Sequence, residues 1–386
     1  MNLFASSKLP AVAIIDVSES GVQGALIDPG QSGEEGIFIH INNTRTTLEG
    51  LFSSITELEQ AVTAVINDLA DRAHRGLTKG DGLTEFYIER CVFMIDSPYQ
   101  YSYLSKTTHK ENTSFRITKE LIDDILSKEI AKIDDAPDLI LQKKDSIEFI
   151  KKEVTSVCLN GYPAKKPYGI EAKELDISLF NSVAPAELLE SLRSQIKKTV
   201  GSTPVYFFPK NDAVTDLIRR SNEKGLKKYV NVNTSETLIT LIENDVVKEH
   251  LHIHHGYSKI LEEIEKKFEV PRCVALSYVS MYFSEECEKG FLKKLENTIS
   301  SIMQFWELEY EKNMNWIPDI VYFNSNQRIE MAFKNVLIKK HPETEIRPLH
   351  EYLSEIVKYD FDESDMEMII CGLFVNRKIN SDKGTE

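Results

Sequence analysis

Apolar residues mass in two stretches of this chain, and both stretches share one layout. From Ala11 to Asp28, "AVAIIDVSESGVQGALID" sets an apolar segment, a small polar turn at Ser18 to Gly21, and a second β-rich segment. That pattern predicts strand, hairpin, strand. "GIFIHI" predicts a third strand. In "SSITELEQAVTAVINDLADRAHRG", Ile55, Leu58, Val62, Val65, Ile66 and Leu69 recur at helical spacing, with Ser54 as cap and Gly76 just past the end. "GLTKGDG" links this helix to a further strand in "TEFYIERCVFMID".

The texture changes from Pro98 to about Thr199. "ENTSFRITKELIDDILSKEIAKI" reads as a strand end and a helix, "SIEFIKKEVTSVCLNGY" as an alternating strand, and "PAKKPYG" as a turn. "KELDISLFNSVA" then reads as a strand and "PAELLESLRSQIKKTV" as a helix, making a β-α-β-β-α unit embedded in the chain. "PVYFFP" predicts a short strand and "NDAVTDLIRRSNEKG" a helix ending at Gly225.

The second apolar stretch follows. "YVNVNTSETLITLIENDVV" is a hairpin over the turn "NTSE", "EHLHIHHG" adds a third strand, and "YSKILEEIEKKF" a helix. Cys273 to Tyr310 holds two largely helical segments, "IPDIVYFNSN" a strand, and "QRIEMAFKNVLIKKH" and "SDMEMIICGLFVNRK" two more helices. The tail "INSDKGTE" is polar and expected to be disordered.

Strand, polar hairpin, strand, strand, helix therefore occurs twice, at Ala11 to Ala73 and at Tyr229 to Phe268. A length of 386 residues agrees with two or more domains. The net charge of −15 argues against nonspecific binding to nucleic acid or an anionic membrane. Five scattered cysteines, with no CxxC pair, read as reduced thiols; Cys273 and Cys371 sit in apolar runs where cysteine behaves as a small hydrophobe. The N-terminus lacks the pattern of a signal peptide and no window has the apolar length of a membrane span, so a soluble cytoplasmic protein is expected.

Two related halves, with an α+β insertion in the first, resemble the actin-like ATPase superfamily. The resemblance implies an α/β, actin-like (ribonuclease H-like) two-domain fold with a nucleotide cleft, and hairpin turns whose backbone N–H groups hold phosphate. The insertion, entered by "CVFMIDSPY", turning at "VTSVCLNGYPAKKPYG" and left by "ELDISLFNSVAP", resembles the FtsA/PilM branch, bacterial actin-like proteins of cell division and type IV pilus assembly. The expected domains are 1–97 (first half), 98–200 (insertion), 201–225 (return to the first domain), 226–376 (second domain) and 377–386 (tail).

Set against the family pattern, the nucleotide motifs are degraded. The first turn "DVSESGVQG" has Asp16 where the resemblance puts the acid near the metal, but Ser18 where glycine is expected, followed by Glu19 and Ser20. The Ser18 hydroxyl can donate to phosphate; an ordinary polar hairpin tip explains the same residues. At the second turn a glycine-rich, acid-flanked motif becomes Asn231, Asn233, Thr234, Ser235 and Glu236. Asn231 contributes no charge for Mg²⁺, threonine resists positive φ, and Glu236 brings a negative charge toward phosphate. After "PDIVYF", Asn324, Ser325 and Asn326 replace the glycines expected at an adenosine turn. No catalytic residue is assigned. ATP or ADP with Mg²⁺ is the cofactor that the resemblance implies, and its binding stays open.

His250, His252 and His254 share one face of a strand, a pattern that could bind Zn²⁺ or Ni²⁺, but the more ordinary reading is a half-exposed strand leading to Gly256, which in the family precedes a helix. No metal site is assigned. Asn160, Gly161, Tyr162 and Tyr168, beside Lys165 and Lys166, form either a partner-contacting loop or an ordinary Asn-Gly hairpin turn.

The leading expectation is a cytoplasmic scaffold or adaptor with weak or no ATPase activity. It would sit at the inner face of the membrane by way of a membrane protein's cytoplasmic tail and serve a pilus-assembly or division machine, with self-association open. The alternative is an active, ATP-binding, FtsA-like filament former, which the lack of an apolar face after Val375 disfavours. A sugar-kinase-like enzyme ranks last.

Overall fold

A computed structural model describes residues 8–19, 21–29, 38–42, 55–79, 82–130, 147–283, 288–312, 316–326, 329–357 and 365–383. The chain divides into two compact units, residues 1–217 with 360–386, and residues 218–359.

In the first unit, strands β1 (Leu9–Ser18), β2 (Gly21–Ile27) and β3 (Phe38–Asn42) form an antiparallel meander that leads into helix α1 (Ile55–Arg75). A ribbon of β4 (Leu77–Lys79) and β5 (Gly82–Thr84) precedes β6 (Phe86–Ile95), which lies parallel to β1. The chain then builds a second sheet from β7 (Tyr101–Arg116), helix α2 (Lys119–Ile130), β8 (Ile147–Leu159), β9 (Tyr162–Pro163) and β10 (Glu171–Pro185). It returns through α3 (Ala186–Val200), β11 (Val205–Pro209) and α4 (Lys210–Arg219). The main sheet runs β11-β6-β1-β2-β3 and the inserted one β7-β10-β8-β9.

Strand periodicity explains why β1 is apolar almost throughout. Ala11, Ala13, Ile15 and Val17 share a core with α1, while Val12, Ile14 and Asp16 point to the opposite face and are also buried. Each valine or isoleucine so buried is worth about 1.5–3 kcal/mol before the cost of ordering the chain. The insertion has its own small core around Ile117, Ile122, Leu159, Leu175 and Ile177. Leu188, Leu192 and Ile196 of α3 instead join the core of α1. Helix α3, expected as part of the insertion, thus turns its apolar stripe to α1.

The second unit repeats the wiring. Strands β12 (Leu226–Val232), β13 (Thr237–Glu243) and β14 (Val246–Ile253) form the meander, followed by α5 (Ser258–Phe268), α6 (Arg272–Phe283) and α7 (Lys289–Lys312). Then come β15 (Ile320–Ser325), α8 (Glu330–Lys340), β16 (Glu345–Pro348) and α9 (Leu349–Ile356). The sheet order is β14-β13-β12-β15-β16, with β15 parallel to β12 and β16 parallel to β15.

Helix α10 (Met366–Lys383) belongs to the first unit. It packs on β1 and β2 and buries Met368, Ile369, Ile370, Leu373 and Phe374. Two expectations are corrected. The second unit ends near residue 359 rather than 376, and the segment expected to be a disordered tail is helical to Lys383, held by buried Ile379 and by Arg377 paired to Asp216 at 2.6 Å. Cys273 is exposed rather than buried, since α6 is apolar on most sides and turns Ala275 and Val279 inward. The expected cap Ser54 lies outside the described residues.

Candidate functional site

The first hairpin turn joins β1 to β2 inside the first unit. Gly21 takes φ 135°, the freedom a tight reversal needs, and Ser18 Oγ donates to its carbonyl at 3.2 Å. The serine hydroxyl is thus used within the turn. Ser18 and Glu19 are both buried, and Ser20 lies outside the described residues.

Asp16, near the end of β1, is also buried and receives the ammonium of Lys210 at 2.9 Å. The same Nζ reaches Glu367 at 2.7 Å and Asp96 at 3.6 Å. Four elements converge here: Asp16 comes from β1, Asp96 follows β6, Lys210 opens α4 and Glu367 sits in the first turn of α10. Burial pulls the Lys210 ammonium toward neutrality, but Asp16, Glu367 and Asp96 outweigh it and hold its pKa well above the ordinary value. Burial pushes the Asp96 carboxyl up to about 7; Lys210 opposes this and Asp16 and Glu367 add to it.

The second turn, in the other unit, closes with Asn233 N–H donating to the Glu236 carbonyl at 2.9 Å. The carbonyls of Asn233 and Thr234 accept from the N–H groups of Tyr257 and Ser258, at 3.1 and 2.8 Å, where α5 begins. A Cβ on Gly256 would overlap both carbonyls, which is why glycine stands there. Thr234 Oγ1 donates to the Tyr257 hydroxyl at 2.9 Å, and Glu236 lies 3.0 Å from His252 Nδ1. The expectation that Glu236 brings its charge toward phosphate gives way to an inward pairing with the third strand.

Asn231 and Asn324 are register partners on adjacent parallel strands, and Asn324 Nδ2 donates to Asn231 Oδ1 at 3.0 Å. Asn324 and Ser325 therefore belong to β15 and not to a turn after it; the amide pair prolongs the ladder, leaving Asn326 as the first loop residue. Asn231 and Asn324 come together, as do Asn233, Thr234 and Gly256. Ser235 lies in the same turn.

His250 and His252 meet edge to face at 5.1 Å, His250 bonding Thr240 at 2.9 Å, whereas His254 is exposed beyond the strand end. Among the described residues no group of three or more His, Cys, Asp or Glu is arranged to hold a metal ion. Asn160 and Gly161 take φ 51° and 82°, and Asn160 Oδ1 accepts from the N–H groups of Lys173 and Glu174, so this pair builds the β8–β9 turn and pins β10. Tyr162 and Tyr168 are 77% and 60% exposed.

No protein-family model matches the sequence, and no curated protein matches it by sequence. Among solved structures, a chain of the "PilM-PilN type IV pilus biogenesis complex" aligns with 95% of this chain and 98% of its own, at TM-score 0.65 and 11% identity. The fold is actin-like. A Bacteroides thetaiotaomicron protein described as having an actin-like ATPase fold and unknown function covers 93% of this chain and 100% of its own, at TM-score 0.39 and 11% identity. MreB 5 of Spiroplasma citri bound to AMPPNP covers 98% and 100%, at TM-score 0.45 and 8% identity.

An actin-like fold implies a nucleotide with its Mg²⁺, and the residues present do not fit that pair. The acid of the first turn already holds an ammonium, the second turn offers a neutral amide in place of an acid, and two of its carbonyls face α5. Lys210, Asp96 and Glu367 escaped the sequence reading. One signal was visible: "AIID" and "FMID" both carry an apolar run into an aspartate, and Asp16 and Asp96 lie toward the same end of the parallel strands β1 and β6.

Proposed function

We propose that this chain is an actin-like scaffold that joins a membrane-bound partner to a type IV pilus or related cytoskeletal machine without a working ATPase cycle. The observation that carries the reading is the second turn. Phosphate cradles need glycine backbone that can come close and offer N–H groups. This turn has side chains instead, and the carbonyls of Asn233 and Thr234 are committed to α5. The adaptor role draws on the similarity to a chain of a PilM–PilN complex. An acidic chain with a net charge of −15 suits a basic peptide partner. Tyr162 and Tyr168 on the insertion are the aromatic anchors proposed for it.

The FtsA-like alternative loses support from α10, whose apolar side chains are buried in the first unit. No described helix is long and apolar enough to cross a membrane. Calorimetric titration of the full chain with MgATP and with ADP tests the reading. Little or no heat and no phosphate release are expected; micromolar binding with turnover overturns the pseudo-ATPase claim. Tyr162→Ser with Tyr168→Ser tests the partner face: capture of a basic juxtamembrane peptide encoded nearby should weaken at least tenfold.

A further inference from the structure

Three carboxylates, on Asp16, Asp96 and Glu367, converge from three elements on one buried point of the first unit. Converging hard oxygen donors call for a cation, and with Lys210 among them these three are spaced around an ammonium rather than arranged to hold a metal ion. The position is filled by the chain itself, because the Lys210 side chain enters from the start of α4 and sets its nitrogen 2.7 Å from Glu367, 2.9 Å from Asp16 and 3.6 Å from Asp96. Lys210 is only 6% exposed. A covalently attached cation has no translational entropy to lose on binding, so a free ion must displace it at a disadvantage.

The geometry points to Lys210 as a built-in counter-cation that takes the place of the divalent metal at the first-turn acid. Asp16 is thereby closed to Mg²⁺. Any anion that meets this turn does so without a metal bridge at Asp16. The same ammonium fastens α10 to β1 through Glu367, so the cation and the last helix share one anchor. A lysine serves where arginine would not substitute freely, since its compact charge sits among three separate oxygens rather than forking onto one carboxylate.

The inference rests on the reading of a weak or absent ATPase, yet it fails separately. Turnover of MgATP overturns that reading, whereas cation uptake at Asp16 overturns this one. The test is titration of the full chain with Mn²⁺, followed by the free-ion paramagnetic resonance signal and by melting temperature. Wild type and Asp16→Asn should titrate alike, because Asp16 takes up no ion. Lys210→Ala should melt lower than wild type and recover saturably with Mn²⁺, and adding Asp16→Asn to that variant should abolish the recovery. If Lys210→Ala does not fold without Mn²⁺, Lys210→Ala with Glu367→Gln, which carries one negative charge fewer at the cluster, makes the same comparison. Uptake by wild type that Asp16→Asn removes overturns the inference. So does a folded Lys210→Ala, or its Glu367→Gln companion, that takes up no more Mn²⁺ than wild type.

Discussion

At the scale of single residues, the fold sets two buried groups against their ordinary ionisation. Asp96 is raised from 3.8 to about 7, mainly by burial, so the folded chain keeps this proton longer than the unfolded one. Its contribution to stability is whole below about pH 4 and is lost as pH rises through 7. Asp96→Asn should flatten the decline in denaturation midpoint between about pH 4 and pH 7, and the variant should be the more stable one at the upper end. Lys228 is the opposite case. It is fully buried on β12, 3.4 Å from the Tyr310 hydroxyl and from the Trp316 carbonyl, and burial lowers its pKa from 10.5 to about 8. A depressed lysine destabilises the fold below its folded pKa and ceases to do so as pH rises toward 10.5. Lys228→Met is expected to stabilise the second unit by about 1–3 kcal/mol near neutrality in urea denaturation, the gain fading as pH rises from about 8 to 10.5. A loss of stability instead would mean that the bonds to Tyr310 and Trp316 outweigh the burial.

At the scale of elements, the second turn and α5 behave as one piece. Gly256→Ala forces a Cβ onto the Asn233 and Thr234 carbonyls, so the turn must lift from the helix; a cost of about 1–3 kcal/mol is expected, read by thermal or chemical unfolding. Helix α10 is a second such piece. Cys371 on its inner face is buried and burial holds its thiol in the protonated form, whereas Cys273 on α6 is exposed. A thiol reagent followed by mass spectrometry should label Cys273 within the native protein and leave Cys371 silent until α10 is released. The two hairpins were legible from sequence because apolar runs of period two end in short polar turns. The place of α3 was not, since an amphipathic stripe says that a helix must bury a face and not which neighbour covers it. The last turns of α10 escaped for a related reason: "INSDK" has little apolar character, and its order comes from Ile379 and from Arg377 on Asp216, contacts 161 residues apart in sequence for the latter pair.

At the scale of the whole chain, the duplication was the most readable feature. Two sheets with the same order and the same mix of parallel and antiparallel partners realise the repeat of strand, hairpin, strand, strand and helix. The charged cluster was illegible because its members are spread from residue 16 to residue 367, and only topology brings them together. Loss of glycine from the second turn could be read directly; the ammonium on Asp16 could not. The placement of α10 also bears on how the protein is made. The unit that begins with β1 needs residues 366–383 to cover one face of its sheet, whereas residues 218–359 make a unit of their own. On a translating ribosome the later-encoded body can finish folding first, while the earlier one holds an uncovered apolar sheet until α10 emerges. That interval is when the nascent chain most needs a chaperone, and a product stalled before α10 would aggregate through the uncovered sheet of β1 and β2.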